Sequence, residues 1–335
     1  MRSVNDRIAD ETELIQTYLA PLAAPGALGL NDDAAIIPIE PGCDLVVSTD
    51  PILAGVHFFP DDDPRDIAWK ALAVNVSDLI AKGAQPIAYT MTLALPDAPL
   101  RSWMADFSAG LKEAQAAYRC GLIGGDTDRT SGSLAIGVSA FGTVPRDRFI
   151  KRNTARIGDH VFITGPIGDA ALGLALRRNP RAFPEITSEA HRQTLLRRYF
   201  RPAPPLAAIT MLRTYATAAL DVSDGLVQDA ARLARGAGAA LAIPVAALPV
   251  SPAAECLLKA SPGSIDSLLT GGDDYEVLFA VAPSLVSDMR AAAADIRQPI
   301  HELGVLSAGS GVSARDLSGK PLVIRAGGYD HFRRV

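Results

Sequence analysis

The chain has 335 residues, which is long for a single hydrophobic core, so two domains are expected. Hydrophobic residues make up 48% and charged residues 21% of the chain, a composition that excludes an intrinsically disordered protein. The net charge of −5 argues against nucleic acid as the main partner, because proteins that bind polyanions usually carry an excess of basic residues.

The cysteines and the apolar segments indicate the compartment. Cys43, Cys120 and Cys256 are odd in number and far apart, so neither a disulfide framework nor a CxxC metal site is indicated. The first residues lack the apolar core of a signal peptide, and the apolar stretch 239–250 is short and interrupted by proline. We therefore expect a soluble, cytoplasmic protein without a membrane partner.

The first half of the chain alternates helical and strand patterns. Apolar spacing predicts helices over residues 10–18, 61–83 and 103–118, and strands over residues 34–39, 46–50, 89–95, 122–123 and 134–144. The strand at 46–50 is predicted to be buried and to end in polar residues. Gly124, Gly125 and Asp126 predict a turn. This alternation is typical of an α/β or α+β domain.

The charged, turn-rich segment 145–158 is the predicted domain boundary, which gives domains over residues 1–150 and 151–335. In the second half, the pattern predicts strands at 160–164, 218–222, 277–281, 300–306 and 322–324, and helices at 169–178, 225–234 and 285–294. Residues 309–314 match G-x-G-x-x-A, but no crossover helix follows, so a surface loop is predicted. The second domain is therefore expected to be α/β.

Ser48, Thr49 and Asp50 place two hydroxyls and a carboxylate at the end of the predicted strand 46–50. Oxygen groups of this kind suit Mg²⁺, which keeps waters and phosphates as its remaining ligands. Since one carboxylate does not hold a metal, further carboxylates are needed. The other aspartates at predicted turns or on the 61–83 helix are Asp32, Asp33, Asp78, Asp126, Asp128, Asp221, Asp224, Asp273 and Asp274.

A single aspartate in a turn most often caps its own backbone. Two positions fit that explanation poorly. Asp221 and Asp224 flank Ser223 at a predicted strand-to-helix turn, where both carboxylates can face one ion while Ser223 meets an anion. Asp78 lies beside the apolar stripe of a predicted helix, and a half-buried carboxylate requires a partner, which a metal would provide.

Two further positions have alternative explanations. His57 is either a core histidine or a residue that faces a ligand, seven positions after Asp50. Arg152 is either a solvated charge in the boundary segment or a phosphate clamp.

Several classes of enzyme are excluded by what the sequence lacks. There is no G-x-x-x-x-G-K-[ST] motif, no His/Cys cluster typical of zinc, and no evident hydroxyl–histidine–carboxylate combination for acyl hydrolysis. Phosphoryl transfer assisted by metal ions fits the repeated aspartates best.

The motifs and their order along the chain resemble the thiamine-monophosphate kinase family, within the superfamily of enzymes similar to aminoimidazole ribonucleotide synthetase. The segments that carry the resemblance are 32–35, 48–50 with 54–58, 70–79, 124–127, 221–226, 271–276 and 328–332. The resemblance implies ATP-dependent phosphorylation of thiamine monophosphate to thiamine diphosphate. It also implies an N-terminal mixed-sheet domain and a C-terminal α/β domain, a homodimer formed through the N-terminal sheets, and a nucleotide cleft between the domains.

Residue roles follow from the same resemblance. Catalytic roles are implied for Asp50, Asp126 and Asp224. The implied Mg²⁺ ligands are Asp33, Ser48, Thr49, Asp50, Asp78, Asp126, Asp221 and Asp224. The implied ATP contacts are Gly125, Asp126, Arg152 and Ser223, and the implied substrate contacts are His57, Asp273 and Ala326.

Three positions depart from the family pattern. Asn31 stands where the family usually has glycine, and asparagine tolerates a positive φ better than most residues. Asp273 replaces the usual, longer glutamate, and Ala326 aligns where the family can place an aromatic residue against the substrate.

Two competing hypotheses remain at the level of sequence. One is another enzyme of the same superfamily, namely aminoimidazole ribonucleotide synthetase, selenophosphate synthetase or a hydrogenase-maturation dehydratase. The other is a non-catalytic nucleotide-binding module. The intact aspartates argue against the second, and the absence of cysteine before Cys43 argues against selenophosphate chemistry.

Overall fold

The computed structural model describes residues 6–316 and 318–324. The backbone divides into two compact units, which are treated separately below. The first unit contains Met1–Leu79 and Ala84–Asp147, and the second contains Ile80–Gly83 and Arg148–Val335.

The described residues of the first half of the chain form three α-helices and four strands. In chain order they are α1 (Glu11–Leu14), β1 (Cys43–Leu53), α2 (Pro64–Ala81), β2 (Gln85–Leu95), α3 (Arg101–Tyr118), β3 (Gly121–Arg129) and β4 (Ala135–Pro145). Asp10 caps α1, because its carboxylate accepts a hydrogen bond from the backbone N–H of Glu13 at 2.8 Å. This N-cap confirms the predicted helix start.

The four strands form one sheet in the order β1-β4-β2-β3, with β2 and β3 parallel and the other pairs antiparallel. Ser48, Ala140 and Tyr89 are paired across three strands, so their side chains share a face of the sheet. The hydroxyl of Ser48 reaches α2, and that of Tyr89 accepts a hydrogen bond from Gln115 of α3. The two long helices therefore pack on this face.

Three predictions for this unit are wrong. Residues 34–39 form no strand, and residues 124–126 lie inside β3 rather than in a turn. The predicted strand 46–50 is the middle of an eleven-residue strand, so its polar residues are not at a strand end. That strand is at the sheet edge and mostly exposed, not buried, because it pairs with a neighbour on one side only.

The second unit follows the predicted alternation of strands and helices. Its elements are β5 (His160–Ile163), α4 (Asp169–Arg178), α5 (Glu189–Phe200), α6 (Ile209–Tyr215), β6 (Ala216–Asp221), α7 (Leu226–Gly236), β7 (Ala240–Pro244), α8 (Pro252–Ala260), α9 (Ile265–Thr270), β8 (Val277–Val281), α10 (Val286–Asp295), β9 (His301–Val305) and β10 (Gly311–Arg315). The two units together confirm the predicted mixed α/β fold class.

Strand β8 is the buried strand around which the second unit packs. All five of its residues are buried, and the antiparallel sheet has the order β6-β8-β5-β9. A smaller parallel pair joins β10 to β7, which corrects the surface loop predicted at residues 309–314. Residues 322–324 form no strand. In the described part of the chain, no helix combines the length and the apolar character needed to cross a bilayer.

Candidate active site

The inner face of β1 brings two of the predicted metal ligands together. The hydroxyl of Ser48 donates a hydrogen bond of 2.5 Å to Oδ2 of Asp78, which lies on α2. Side chains alternate along a strand, so Asp50 belongs to the same face as Ser48. Asn75, also on α2, fixes the backbone there, because its amide accepts from the N–H of Asp50 at 2.8 Å and donates to its carbonyl at 3.1 Å. The half-buried Asp78 therefore has the partner that its position requires.

Thr49 lies on the opposite face of the sheet. Its hydroxyl donates to the carbonyl of Val138 at 3.0 Å and accepts a hydrogen bond of 3.0 Å from the hydroxyl of Ser139. Strand geometry thus separates the side chain of Thr49 from those of Ser48 and Asp50, although the three residues are consecutive in sequence.

The turn after β1 holds His57 at two points. Nδ1 of the ring accepts a hydrogen bond of 3.0 Å from the backbone N–H of Leu53. The ammonium of Lys70, which is only 2% exposed, donates to the His57 carbonyl at 3.0 Å. A neutral imidazole whose Nδ1 accepts carries its proton on Nε2, so His57 presents an N–H donor at the far side of the ring.

A cleft of about 280 Å³ in the first unit joins other predicted residues. Asp33, Gly125 and Asp126 all line it, together with apolar residues that include Ile15 and Leu122. The carboxylates of Asp32 and Asp126 each accept the backbone N–H of the following residue, at 2.8 and 2.9 Å. The cleft therefore combines exposed carboxylates with an apolar wall.

Gly125 is required by the backbone of that cleft. A Cβ atom at this position would lie 1.8 Å from the carbonyl oxygen of Met91 on β2. No other residue fits without moving β3 away from β2.

The metal chemistry of these residues fits Mg²⁺ held jointly by protein and phosphate. Among the described residues, no three His, Cys, Asp or Glu side chains are arranged as a complete protein site for a metal ion. Mg²⁺ commonly uses only one or two carboxylates, and substrate phosphates and water supply its remaining oxygen ligands. The carboxylates of Asp33 and Asp126 on one cleft match that partial donor set.

In the second unit, the turn between β6 and α7 is shaped by a buried carboxylate. Asp229 is 0% exposed, and its Oδ2 accepts the backbone N–H groups of Ser223 at 3.1 Å and Asp224 at 3.0 Å. Arg232 bridges the carboxylates of Asp229 and Asp224, with 2.5 Å contacts to each. Burial raises the pKa of Asp229 to about 6, because desolvation outweighs the attraction of Arg232.

The loop 271–276, between α9 and β8, is bonded to the same turn through its backbone. The N–H of Asp273 donates to the Ser223 carbonyl at 2.9 Å, and the N–H of Tyr275 donates to the Val222 carbonyl at 2.8 Å. A Cβ atom on Gly272 would lie 2.2 Å from the Ser223 carbonyl oxygen, so the close approach requires glycine there. Ser223, Asp224 and Asp273 therefore belong to one bonded frame.

The motif 271–276 includes Asp274 and Glu276, but the sequence did not predict the buried ionic group that they form with Arg198 and Asp169 behind that loop. Both carboxylate oxygens of Asp274 accept the N–H of Gly168, at 2.8 and 3.0 Å. Glu276 pairs with Arg198 and accepts the hydroxyl of Thr164 at 2.7 Å. The sequence did contain a signal for this group: Asp274 and Glu276 stand directly before the fully apolar strand Val277–Val281, where acidic residues are expected to need buried partners.

Asp169 completes this group. It is 1% exposed, and its carboxylate accepts the hydroxyl of Ser251 at 2.6 Å. Burial raises the pKa of Asp169, and raises that of Asp274 well above its usual range. Three carboxylates thus surround the single guanidinium of Arg198.

Of the other predicted residues, Asp221 adjoins this frame, Arg152 lies near the far end of α7, and Ala326 is outside the described residues. Asp221 is the last residue of β6, two positions before Ser223. The backbone of Arg152 lies beside Gly236, at the C-terminal end of α7, about 15 Å along the helix from the Ser223 turn. Ala326 and the motif 328–332 lie outside the described residues, so their predicted roles stay predictions.

Comparison with known proteins gives a consistent result. A family model described as AIR synthase related protein, N-terminal domain, matches residues 31–144. A curated thiamine-monophosphate kinase from Caulobacter vibrioides is 37% identical over 309 residues, which are 91% of this chain and 86% of the relative.

Two solved structures extend the likeness to three dimensions. That of a thiamine-monophosphate kinase from Stenotrophomonas maltophilia K279a is 35% identical with a TM-score of 0.81, and covers 92% of this chain and 96% of its own. A structure described as AaThiL complexed with AMPPCP and TMP is 30% identical with a TM-score of 0.76, and covers 99% of both chains.

Proposed function

Because this chain belongs to the thiamine-monophosphate kinase family, we propose that it transfers the γ-phosphoryl group of ATP to thiamine monophosphate. An oxygen of the acceptor phosphate attacks the γ-phosphorus, the bond to the β,γ-bridging oxygen breaks, and thiamine diphosphate and ADP are formed. The observation that carries the proposal is identity above 30% along nine-tenths of the chain. The resemblance inferred from the sequence motifs is confirmed.

The acceptor needs no general base. The second pKa of a phosphate monoester is about 6, so at neutral pH the acceptor is largely a dianion and already nucleophilic. The protein must instead position two highly charged phosphates and offset their repulsion. Direct transfer, without a phosphorylated residue on the enzyme, is part of the proposal.

The nucleotide contacts belong to the proposal. In the first unit, Gly125 and Asp126 line the 280 Å³ cleft. Gly125 has no side chain, so the nucleotide could approach its backbone closely, and Asp126 places a carboxylate next to it. In the second unit, Asp229 fixes the backbone of Ser223, whose hydroxyl is the proposed ATP contact. Arg152 is exposed and is the proposed cationic contact to phosphate.

Mg²⁺ is part of the same proposal. Its proposed ligands are Asp33, Ser48, Asp50, Asp78, Asp126, Asp221 and Asp224, whereas the hydroxyl of Thr49 lies on the opposite face of the sheet from Ser48 and Asp50. When bound, the metal would neutralise the charge of the triphosphate. The hydrogen bond from Ser48 and the ion pair with Arg232 hold Asp78 and Asp224 in defined orientations.

The acceptor site is assigned to His57, Asp273 and Ala326. His57 carries its N–H on Nε2, which suits donation to a phosphate oxygen. The carboxylate of Asp273 accepts the hydroxyl of Tyr275 at 3.3 Å and offers a negative charge to the cationic thiazolium of the substrate.

We also propose a homodimer formed through the outer face of the first unit's sheet. On β1, Leu45 is 40% exposed and Val47 is 55% exposed, and their side chains point away from the helices. Apolar residues exposed side by side on an edge strand mark an interaction surface. A cytoplasmic location is part of the proposal, since the reaction consumes ATP and the three cysteines are free.

The deciding experiment incubates the purified chain with ATP, Mg²⁺ and thiamine monophosphate. Thiamine diphosphate is then measured by fluorescence after oxidation to the thiochrome form. Formation of thiamine diphosphate and ADP in equal amounts is the expected result. ATP binding without transfer to this acceptor, or turnover of an aminoimidazole precursor instead, would refute the assignment.

A further inference from the structure

The loop 271–276 holds two residues in a backbone conformation that side chains rarely adopt. Asp273 has φ of 71° and Tyr275 has φ of 52°, both in the left-handed region. For a residue as bulky as tyrosine this conformation is unfavourable, and it persists only where the surroundings impose it. Something in the fold must therefore hold the loop.

Asp274, the residue between these two, attaches the loop to the fold through its side chain. Its side chain is 3% exposed, and both carboxylate oxygens accept the N–H of Gly168, directly before α4. On the other side of the loop, the backbone N–H groups of Asp273 and Tyr275 donate to carbonyls of the β6–α7 turn. The loop is thus fixed between α4 and that turn.

We propose that Asp274 is a positioning residue: its buried carboxylate holds the strained loop in the one conformation that presents Asp273 to the acceptor. The inference rests on the proposed function for the role of Asp273. Asp274 itself is buried, and it acts through the backbone of the loop.

Arg198 and Glu276 make this attachment rigid. Glu276 continues the loop into β8, and its carboxylate is paired with Arg198 and with the hydroxyl of Thr164. Arg198 is the cation that balances Asp274 within the buried group. Asparagine at position 274 would keep only one of the two oxygens that accept the N–H of Gly168, and its NH2 group accepts nothing, so Asp274→Asn weakens the hold on Gly168 while Arg198 keeps Glu276.

The kinetic consequence is specific. If the loop is released, only a fraction of molecules presents Asp273, and the apparent affinity for thiamine monophosphate falls by that fraction. The turnover number at saturation changes little, because bound substrate restores the ordered loop. The Michaelis constant for ATP is also preserved, because Ser223 is fixed by Asp229, which the variant leaves intact.

The test compares Asp274→Asn with Asp159→Asn. Asp159 is a matched control, since it is 4% exposed in the same unit and accepts a backbone N–H from Arg156 and the hydroxyl of Thr217. For Asp274→Asn we expect the KM for thiamine monophosphate to rise about ten-fold, with kcat and the KM for ATP within about two-fold. Asp159→Asn should leave all three unchanged.

A double-mutant cycle shows whether Asp274 acts through Asp273. Asp273→Ala raises the same KM, and Asp274→Asn added to it should raise that KM no further. Independent, multiplicative effects would overturn the proposal. So would a fall in kcat with an unchanged KM for thiamine monophosphate.

Hydrogen exchange keeps the inference separable from the proposed function. The amides of Asp273 and Tyr275 donate hydrogen bonds in the native loop, so Asp274→Asn should accelerate their exchange at least about ten-fold, and Asp159→Asn should not. If the wild-type chain fails to phosphorylate thiamine monophosphate, the proposed function fails, while this measurement still decides whether Asp274 holds the loop. Unchanged exchange overturns the inference.

Should Asp274→Asn not fold, Tyr275→Phe provides the second variant. It removes the hydroxyl that donates to Asp273 while keeping the buried ring. The expected rise in the KM for thiamine monophosphate is about three-fold, with kcat unchanged. An unchanged KM would overturn the view that the loop presents Asp273.

Discussion

Replacing Asp229 by asparagine should change how the stability of the second unit depends on pH. Asp229 is fully buried, and its pKa is about 6 in the fold against 3.8 for the free carboxyl. The folded chain therefore binds more protons than the unfolded chain between these two values, so stability falls as pH rises through this window. The difference of roughly two units corresponds to about 3 kcal/mol.

The asparagine variant carries no proton to titrate at this position. The free energy of unfolding of the variant, relative to that of the wild type, should rise by about 3 kcal/mol between about pH 4 and about pH 7 and then stay level. Urea unfolding at each pH, followed by circular dichroism, measures the difference. Fluorescence is unsuitable, because Trp69 and Trp103 both lie in the first unit.

Asp229→Ala is the matched variant for this experiment. It also removes the titrating group, so its pH dependence should coincide with that of Asp229→Asn. The free energy of unfolding of Asp229→Ala should be lower than that of Asp229→Asn at every pH, because alanine leaves the backbone N–H groups of Ser223 and Asp224 without their shared acceptor. A difference from wild type that is constant with pH, or one that falls as pH rises, would refute the reasoning.

Three further predictions follow from the first unit. Asp50→Asn should lower kcat at least about 100-fold without lowering the melting temperature, whereas the control Asp44→Asn on the same strand should leave kcat unchanged. A kcat of Asp50→Asn equal to that of the wild type would show that Asp50 is not part of the site. Gly125→Ala should raise the KM for ATP about ten-fold, because its Cβ would meet the Met91 carbonyl, while Gly263→Ala, with open space around it, should not. Val47→Asp should convert a dimer to a monomer in light scattering, and Val305→Asp, at a similarly exposed valine of the second unit, should not; a persistent dimer would exclude this face.

Local sequence patterns predicted the elements that their own residues determine. The apolar run Val277–Val281 was assigned correctly as a strand, because five buried residues in sequence have few other solutions. Residues 124–126 failed for the opposite reason. Their glycines suggest a turn, but parallel pairing with β2, which depends on residues some thirty positions earlier, extends the strand through them.

The candidate site was predictable in composition but not in geometry. The repeated aspartates identified the chemistry, yet which face of the sheet Ser48 and Asp50 share, and hence whether they meet α2, depends on strand register, which a motif does not encode. Residues 34–39 show the same limit, since an apolar run becomes a strand only when a neighbour pairs with it.

The structure sorts the aspartates into two groups that the sequence could not distinguish. Asp33, Asp50 and Asp126 are exposed to solvent. Asp229 and Asp274 are buried: Asp229 accepts backbone N–H groups of the turn that carries Ser223 and Asp224, whereas Asp274, itself in the loop that carries Asp273, accepts the N–H of Gly168. A buried carboxylate is costly to desolvate, and its hydrogen bonds to the backbone offset that cost only in one loop conformation. The acids that bind and the acids that hold the loops therefore have to be different residues, which accounts for more aspartates than a magnesium site alone would need.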